Sequence, residues 1–133
     1  MTRNTPQTSP AAGSSDPPVL DLTLLQEAIP DDEGRLCGVL ARFVEVARQT
    51  LAELERVTVD VNMGEIADLA HRLKSSSLTA GAFALAESCQ CMEDAGCSGD
   101  IRAITALKAN VNAEFRRAAE AIERRIASGT PGN

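Results

Sequence analysis

The stretch AHRLKSSSLTAGA, residues 70–82, holds the chain's single histidine, His71, with Lys74 three residues on and small side chains around both. A neutral imidazole carries a lone pair on one nitrogen and keeps a proton on the other, so it can act as a nucleophile. An exposed histidine, with an ordinary pKa near ~6.5, meets that condition around neutral pH without special tuning. An ammonium one helical turn away is placed to stabilise an anion delivered to the ring. Other chemistry is poorly supplied. No cysteine is placed to pair with His71 within its helix, which disfavours a thiol or histidine hydrolase. The four cysteines, Cys37, Cys89, Cys91 and Cys97, read as free thiols. On a helix Cys89 and Cys91 project roughly 200° apart and cannot share one ion, so no metal site is expected. The chain also lacks a GxxxxGK loop to cradle nucleotide phosphates.

The element that must carry His71 is an amphipathic helix. Asn62 followed by Glu65 has the spacing of a capping box. With Ile66 as origin, Leu69, Ala70, Leu73, Ser77 and Ala80 fall within about 60° and form the buried stripe. His71 lands near about 140°, facing outward. Ala67 and Ser75, four residues to either side, share that face, with Leu78 one turn further on. These small neighbours would let another protein approach the ring closely.

The flanking segments supply the rest of a bundle. Asp21 is placed to cap the run LTLLQEAI, which Pro30 stops. From about Glu33 to Val57, Leu36, Leu40, Phe43, Ala47, Leu51 and Leu54 recur at helical steps before VTVDVN interrupts the pattern. Gly81 is the expected stop of the His71 helix and turns the chain into a series of Ala82, Leu85, Cys89 and Met92. That helix is expected to end near Gly96, with SGD as a turn and Asp100 as the next cap. Ile104, Leu107, Val111, Phe115, Ala118, Ile122 and Ile126 define a long last helix to Ser128 and Gly129. Short connections make successive helices antiparallel, so the expected fold is all-α: an up-and-down antiparallel four-helix bundle preceded by a short helix.

Composition agrees. At 133 residues the chain has room for one core, and with aromatic residues at 2 % that core must be aliphatic. Residues 1–18 are rich in Pro, Ser and Thr and read as a linker or tail, residues 19–129 as the bundle, and 130–133 as a C-terminal tail. The net charge of -6 argues against nucleic acid and anionic membranes and suits a protein partner. No long apolar run and no signal-peptide start are present, so a cytoplasmic chain is expected. No exposed stripe demands self-association, and a monomer is expected.

Ala70, His71, Leu73 and Lys74, then Ser76, Ser77, Gly81, Ala82, Leu85, Cys89 and Glu93, stand in the order and register of a known signature. The series resembles histidine-containing phosphotransfer (HPt) domains, whose pattern runs Ala-His-x-Leu-Lys-Gly-Ser-Ser, then Gly-Ala, Leu, Cys and an apolar-Glu pair. With the Phe43 helix and the SGD turn, the resemblance covers roughly residues 19–127. It implies a phosphorelay intermediate: His71 accepts a phosphoryl group from a receiver-domain aspartate and passes it to another receiver. Lys74 would stabilise the phosphoryl charge. Ala67, Ser75 and Leu78 would form the receiver docking face, while Gly81 and Cys89 would be structural. Mg²⁺ would sit in the partner receiver and no cofactor on this chain, which would have no autokinase activity of its own. The Pro/Ser/Thr-rich head suits a tether to a preceding domain, as in a hybrid sensor histidine kinase. One departure is Ser75 where the family most often has glycine: its extra atoms narrow the range of partners, or its hydroxyl bonds the phosphorylated ring. The rival reading is a non-catalytic helical adaptor or dimerisation bundle that binds receiver or kinase domains.

Overall fold

The computed structural model describes residues 19–59 and 62–129, with helix α1 at Thr23–Ala28, α2 at Glu33–Val59, α3 at Met63–Ala80, α4 at Phe83–Ser98 and α5 at Ile101–Gly129. The expected linker 1–18, the tail 130–133 and residues 60–61 of the VTVDVN break lie outside the described residues. No strand occurs among those described.

Asp21 caps α1 from one position further out than a standard N-cap. Its Oδ1 accepts from the Thr23 backbone N–H at 3.1 Å and the Thr23 hydroxyl at 2.7 Å, while Leu22 occupies the cap position itself. α2 runs two residues beyond the expected Val57. Val57 is only 1 % exposed, and burial in the core outweighs the weak helix preference of the β-branched run. The Asn62 N–H then donates to the Val57 carbonyl at 3.1 Å. Since that amide is used, the capping box takes a variant form. Asn62 Oδ1 accepts from the Glu65 N–H at 3.2 Å, and Asn62 Nδ2 donates to Glu65 Oε1 at 2.9 Å.

Gly81 ends α3 at φ 83, with the Ala82 N–H donating to the Ser77 carbonyl at 2.8 Å as in a Schellman turn. The N-terminal segment lies tight across this turn. Asp21 N–H donates to the Gly81 carbonyl at 2.9 Å, and a Cβ on Gly81 would collide with the Asp21 backbone. The expected stop at Gly96 is corrected. Gly96 is buried inside α4, which continues to Ser98 and ends on Gly99 at φ 75. A Cβ at Gly96 would lie 3.0 Å from Ala67 N and 3.1 Å from Met63 O, so this glycine permits close approach of α3 and α4 rather than a turn. Asp100 caps α5 as expected, Oδ1 accepting from the Ala103 N–H at 3.1 Å.

Contacts between α2 and α3, α3 and α4, α4 and α5, and α5 and α2 close a ring, with α1 against α3. Glu33 of α2 meets Arg125 of α5, while Glu55 meets Lys108, so these two helices run in opposite directions. The core holds Leu36, Leu40 and Leu54 of α2, Ile66, Leu69 and Leu73 of α3, Leu85, Cys89 and Met92 of α4, and Ile104, Val111 and Ile122 of α5. The fold is the expected helical bundle. Leu51, Leu107, Phe115 and Ile126 pack at its margin, half-buried at the edge of their stripes.

Candidate functional site

Every residue of the expected α3 stripe is buried, which turns His71 outward with its side chain 56 % exposed. Antiparallel α4 lies beside it. Lys74 with Gln90 and His71 with Glu93 pair in one antiparallel register across the groove, and Lys74 reaches Glu93 as well. The Gly81 turn thus fixes which α4 residue faces which α3 residue.

His71 Nδ1 lies 3.1 Å from Glu93 Oε2. The Glu93 carboxyl is held below the usual carboxylate value of 4.5, first by the hydrogen bond from Lys74 and then by His71. An ionised carboxylate can only accept, so the proton of the neutral ring sits on Nδ1 and is donated to Glu93. That leaves Nε2 with the lone pair. The other Glu93 oxygen, Oε1, accepts from Lys74 Nζ at 3.1 Å. Lys74 Nζ also donates to Gln90 Oε1 at 2.7 Å, and Gln90 Nε2 donates to Asp94 Oδ1 at 2.9 Å. The side chains of Lys74 and Glu93 are 19 % and 22 % exposed, so this charge pair is sheltered where His71 is not.

The other expected site residues divide. Ser75 is exposed on the His71 side and Leu78 is 43 % exposed, while Lys74 turns toward α4 to meet Gln90 and Glu93. Ala67 is corrected: it is 9 % exposed and packs against Gly96, so α4 covers the position expected to stand open. Ser77, 0 % exposed, turns its hydroxyl back onto the Leu73 carbonyl at 2.6 Å. Cys89 is fully buried, and burial pushes its thiol up to about 12, against a smaller opposing pull from Lys74. It is a packing residue. Among the described residues no group of three or more His, Cys, Asp or Glu could hold a metal ion.

Three residues carry more of this site than their types and spacing suggested. Glu93 entered only as a motif match, and Gln90 and Phe83 not at all. The antiparallel register about Gly81 was the signal that points to Glu93 and Gln90. Phe83, 40 % exposed, joins Leu78, Asp21, Lys74 and Glu87 around an open, mainly apolar groove of about 550 Å³ that reaches Lys74.

The chain is similar in fold to histidine-containing phosphotransfer protein B (HptB) of Pseudomonas aeruginosa PAO1: TM-score 0.75, 25 % identity, covering 82 % of this chain and 95 % of that one. Comparison with curated protein sequences returns no match. The family model of the Hpt domain matches residues 38–125, a span from α2 into the last turns of α5 that includes His71, Lys74, Gly81 and Glu93. With that match extending over most of the bundle, the chain belongs to the Hpt domain family.

Proposed function

We propose that His71 is the phosphoacceptor through which this Hpt domain serves a phosphorelay. The observation that carries the reading is the Nδ1 contact with Glu93 at 3.1 Å on a ring otherwise open to solvent. It supports Nε2 as the attacking atom. In the reaction, the Nε2 lone pair attacks the phosphorus of a receiver aspartyl phosphate, and the N–P bond forms as the acyl O–P bond breaks. The receiver carboxylate leaves, and the ring, still protonated on Nδ1, becomes a cation paired with Glu93. No proton has to move, so the same path runs in reverse toward a second receiver.

Most of the help such a transfer needs is positioning and charge neutralisation. Burial of the α3 stripe fixes the helix under the ring, and the Glu93 bond fixes the ring's rotation. Lys74 stabilises the phosphoryl oxygens. Ser75 and Leu78, joined by Phe83, form the receiver docking face, while Gly81 and Cys89 are structural. Mg²⁺ belongs to the receiver's acidic pocket. The phosphoryl group arrives from a receiver rather than from ATP, and the domain works as a monomer in the cytoplasm, carried by residues 19–129 between a leading linker and a short tail. No described helix is long and apolar enough to cross a membrane.

The test is transfer from isolated receiver domains, phosphorylated in the presence of Mg²⁺, to the parent chain and to His71→Gln. Acid-labile, base-stable phosphate on the parent alone is expected. A folded parent that takes no label from a panel including its partner receivers would leave the adaptor reading in front.

A further inference from the structure

The resemblance and the family match leave unassigned the polar chain behind Lys74. On α4, Gln90 and Asp94 are one turn apart, and Gln90 spans from Asp94 to the Lys74 ammonium. Asp94 can only accept, so its bond to Gln90 Nε2 turns the amide with Oε1 toward Lys74. An ammonium has three donors. Gln90 and Glu93 take one each, at 2.7 and 3.1 Å, and both lie on α4. The third donor is left for an arriving group, and the four-carbon stem is held with it. An untethered lysine on a helix surface samples many rotamers, and restricting them beforehand removes an entropic cost from the transition state.

We propose that Gln90, oriented by Asp94, is a positioning residue that holds Lys74 in place for phosphoryl transfer. The inference rests on His71 being the phosphoacceptor. Gln90 does not touch the reacting atoms; it acts through Lys74, and its effect exists only while Lys74 is present.

The experiment uses a receiver domain that labels the parent chain, pre-phosphorylated with a small-molecule donor. Single-turnover transfer is followed to the parent, Gln90→Met, Lys74→Gln and the double variant. Methionine keeps the unbranched shape of glutamine and removes its hydrogen bonds. Gln90 is exposed, so the variant keeps the fold, and matching circular dichroism checks this. Gln90→Met is expected to slow transfer at saturating receiver roughly tenfold, from freeing the lysine rotamers, with the half-saturating receiver concentration unchanged. In the Lys74→Gln background the same substitution should change nothing, the non-additivity expected of residues acting as one unit. Transfer by Gln90→Met at the parent rate, or an equal slowing with and without Lys74, overturns the positioning role. A change confined to half-saturation also overturns it and makes Gln90 a docking residue. If no receiver labels the parent, the His71 reading falls and this proposal with it, an outcome distinct from a labelled parent matched by Gln90→Met.

Discussion

Gly96 and Gly38 are both helical glycines, and replacing each by alanine should move stability in opposite directions. Alanine is favoured over glycine in a helix interior by about 1 kcal/mol. At Gly38, exposed in α2, a Cβ meets nothing within 4 Å, so that gain should appear nearly in full. At Gly96 the new methyl would lie 3.0 Å from Ala67 N, 3.1 Å from Ala67 Cβ and 3.1 Å from Met63 O. Two of these are backbone atoms of α3, which cannot rotate away, and overpacking of this kind costs about 1–3 kcal/mol. Subtracting the helical gain leaves Gly96→Ala destabilised by about 1 kcal/mol and separated from Gly38→Ala by about 2 kcal/mol. With neither Trp nor Tyr in the chain, guanidinium unfolding is best followed by far-UV circular dichroism. The cost at Gly96 would be met by moving α3 away from α4. Glu93 is one turn from Gly96, so the same substitution should also weaken the His71–Glu93 contact and slow transfer. Equal stabilisation by both substitutions would refute close packing at Gly96 and restore the reading of it as an ordinary helical glycine.

Gly81→Ala should destabilise the fold by more than the roughly 1 kcal/mol or so that φ 83 alone costs a non-glycine residue, because the added methyl also displaces the Asp21 strap; thermal unfolding reads the total. Under native conditions a thiol-specific alkylating reagent should modify exposed Cys91 and Cys97 while buried Cys89, its thiol pushed up to about 12, stays unmodified until the chain unfolds; mass spectrometry of the digested protein distinguishes the three. Because the Glu93 carboxyl is held below its usual 4.5, its contribution to stability is fully present above that pH and is lost as pH falls through the lower folded-state value. Denaturation of the parent and Glu93→Gln at a series of pH values should therefore show a gap that closes in acid, and a gap independent of pH would contradict the ionised Glu93.

The helices were legible because burial follows the 3.6-residue period. Ile66, Leu69, Leu73 and Ser77 announce one face of α3, and that face alone places His71 outside. Local capping chemistry was equally readable at Asn62, Gly81 and Asp100, where a side chain or a left-handed backbone answers a need set within four residues. The failures are tertiary. Gly96 looked like a helix stop because glycine serves both turns and close approaches, and only the presence of Ala67 across the interface decides between them. Ala67 looked open for the same reason, since angular position on an isolated helix does not say how far a neighbouring helix wraps around it. Glu93 and Gln90 lie on another helix from His71, and their part in the site depends on the register that the Gly81 turn sets. The run from Val57 to Val59 read as part of a break because VTVDVN interrupts the apolar period, but Val57 is drawn into the core and the helix runs on to Val59.

The most direct measurement is nitrogen-15 NMR of the phosphorylated chain, whose single histidine makes the ring signals unambiguous. Phosphorus coupling on Nε2 of His71, with Nδ1 still protonated, is the predicted result and joins the Glu93 contact to the chemistry in one spectrum. Phosphorus on Nδ1, or label on the protein with none on the ring, would contradict it.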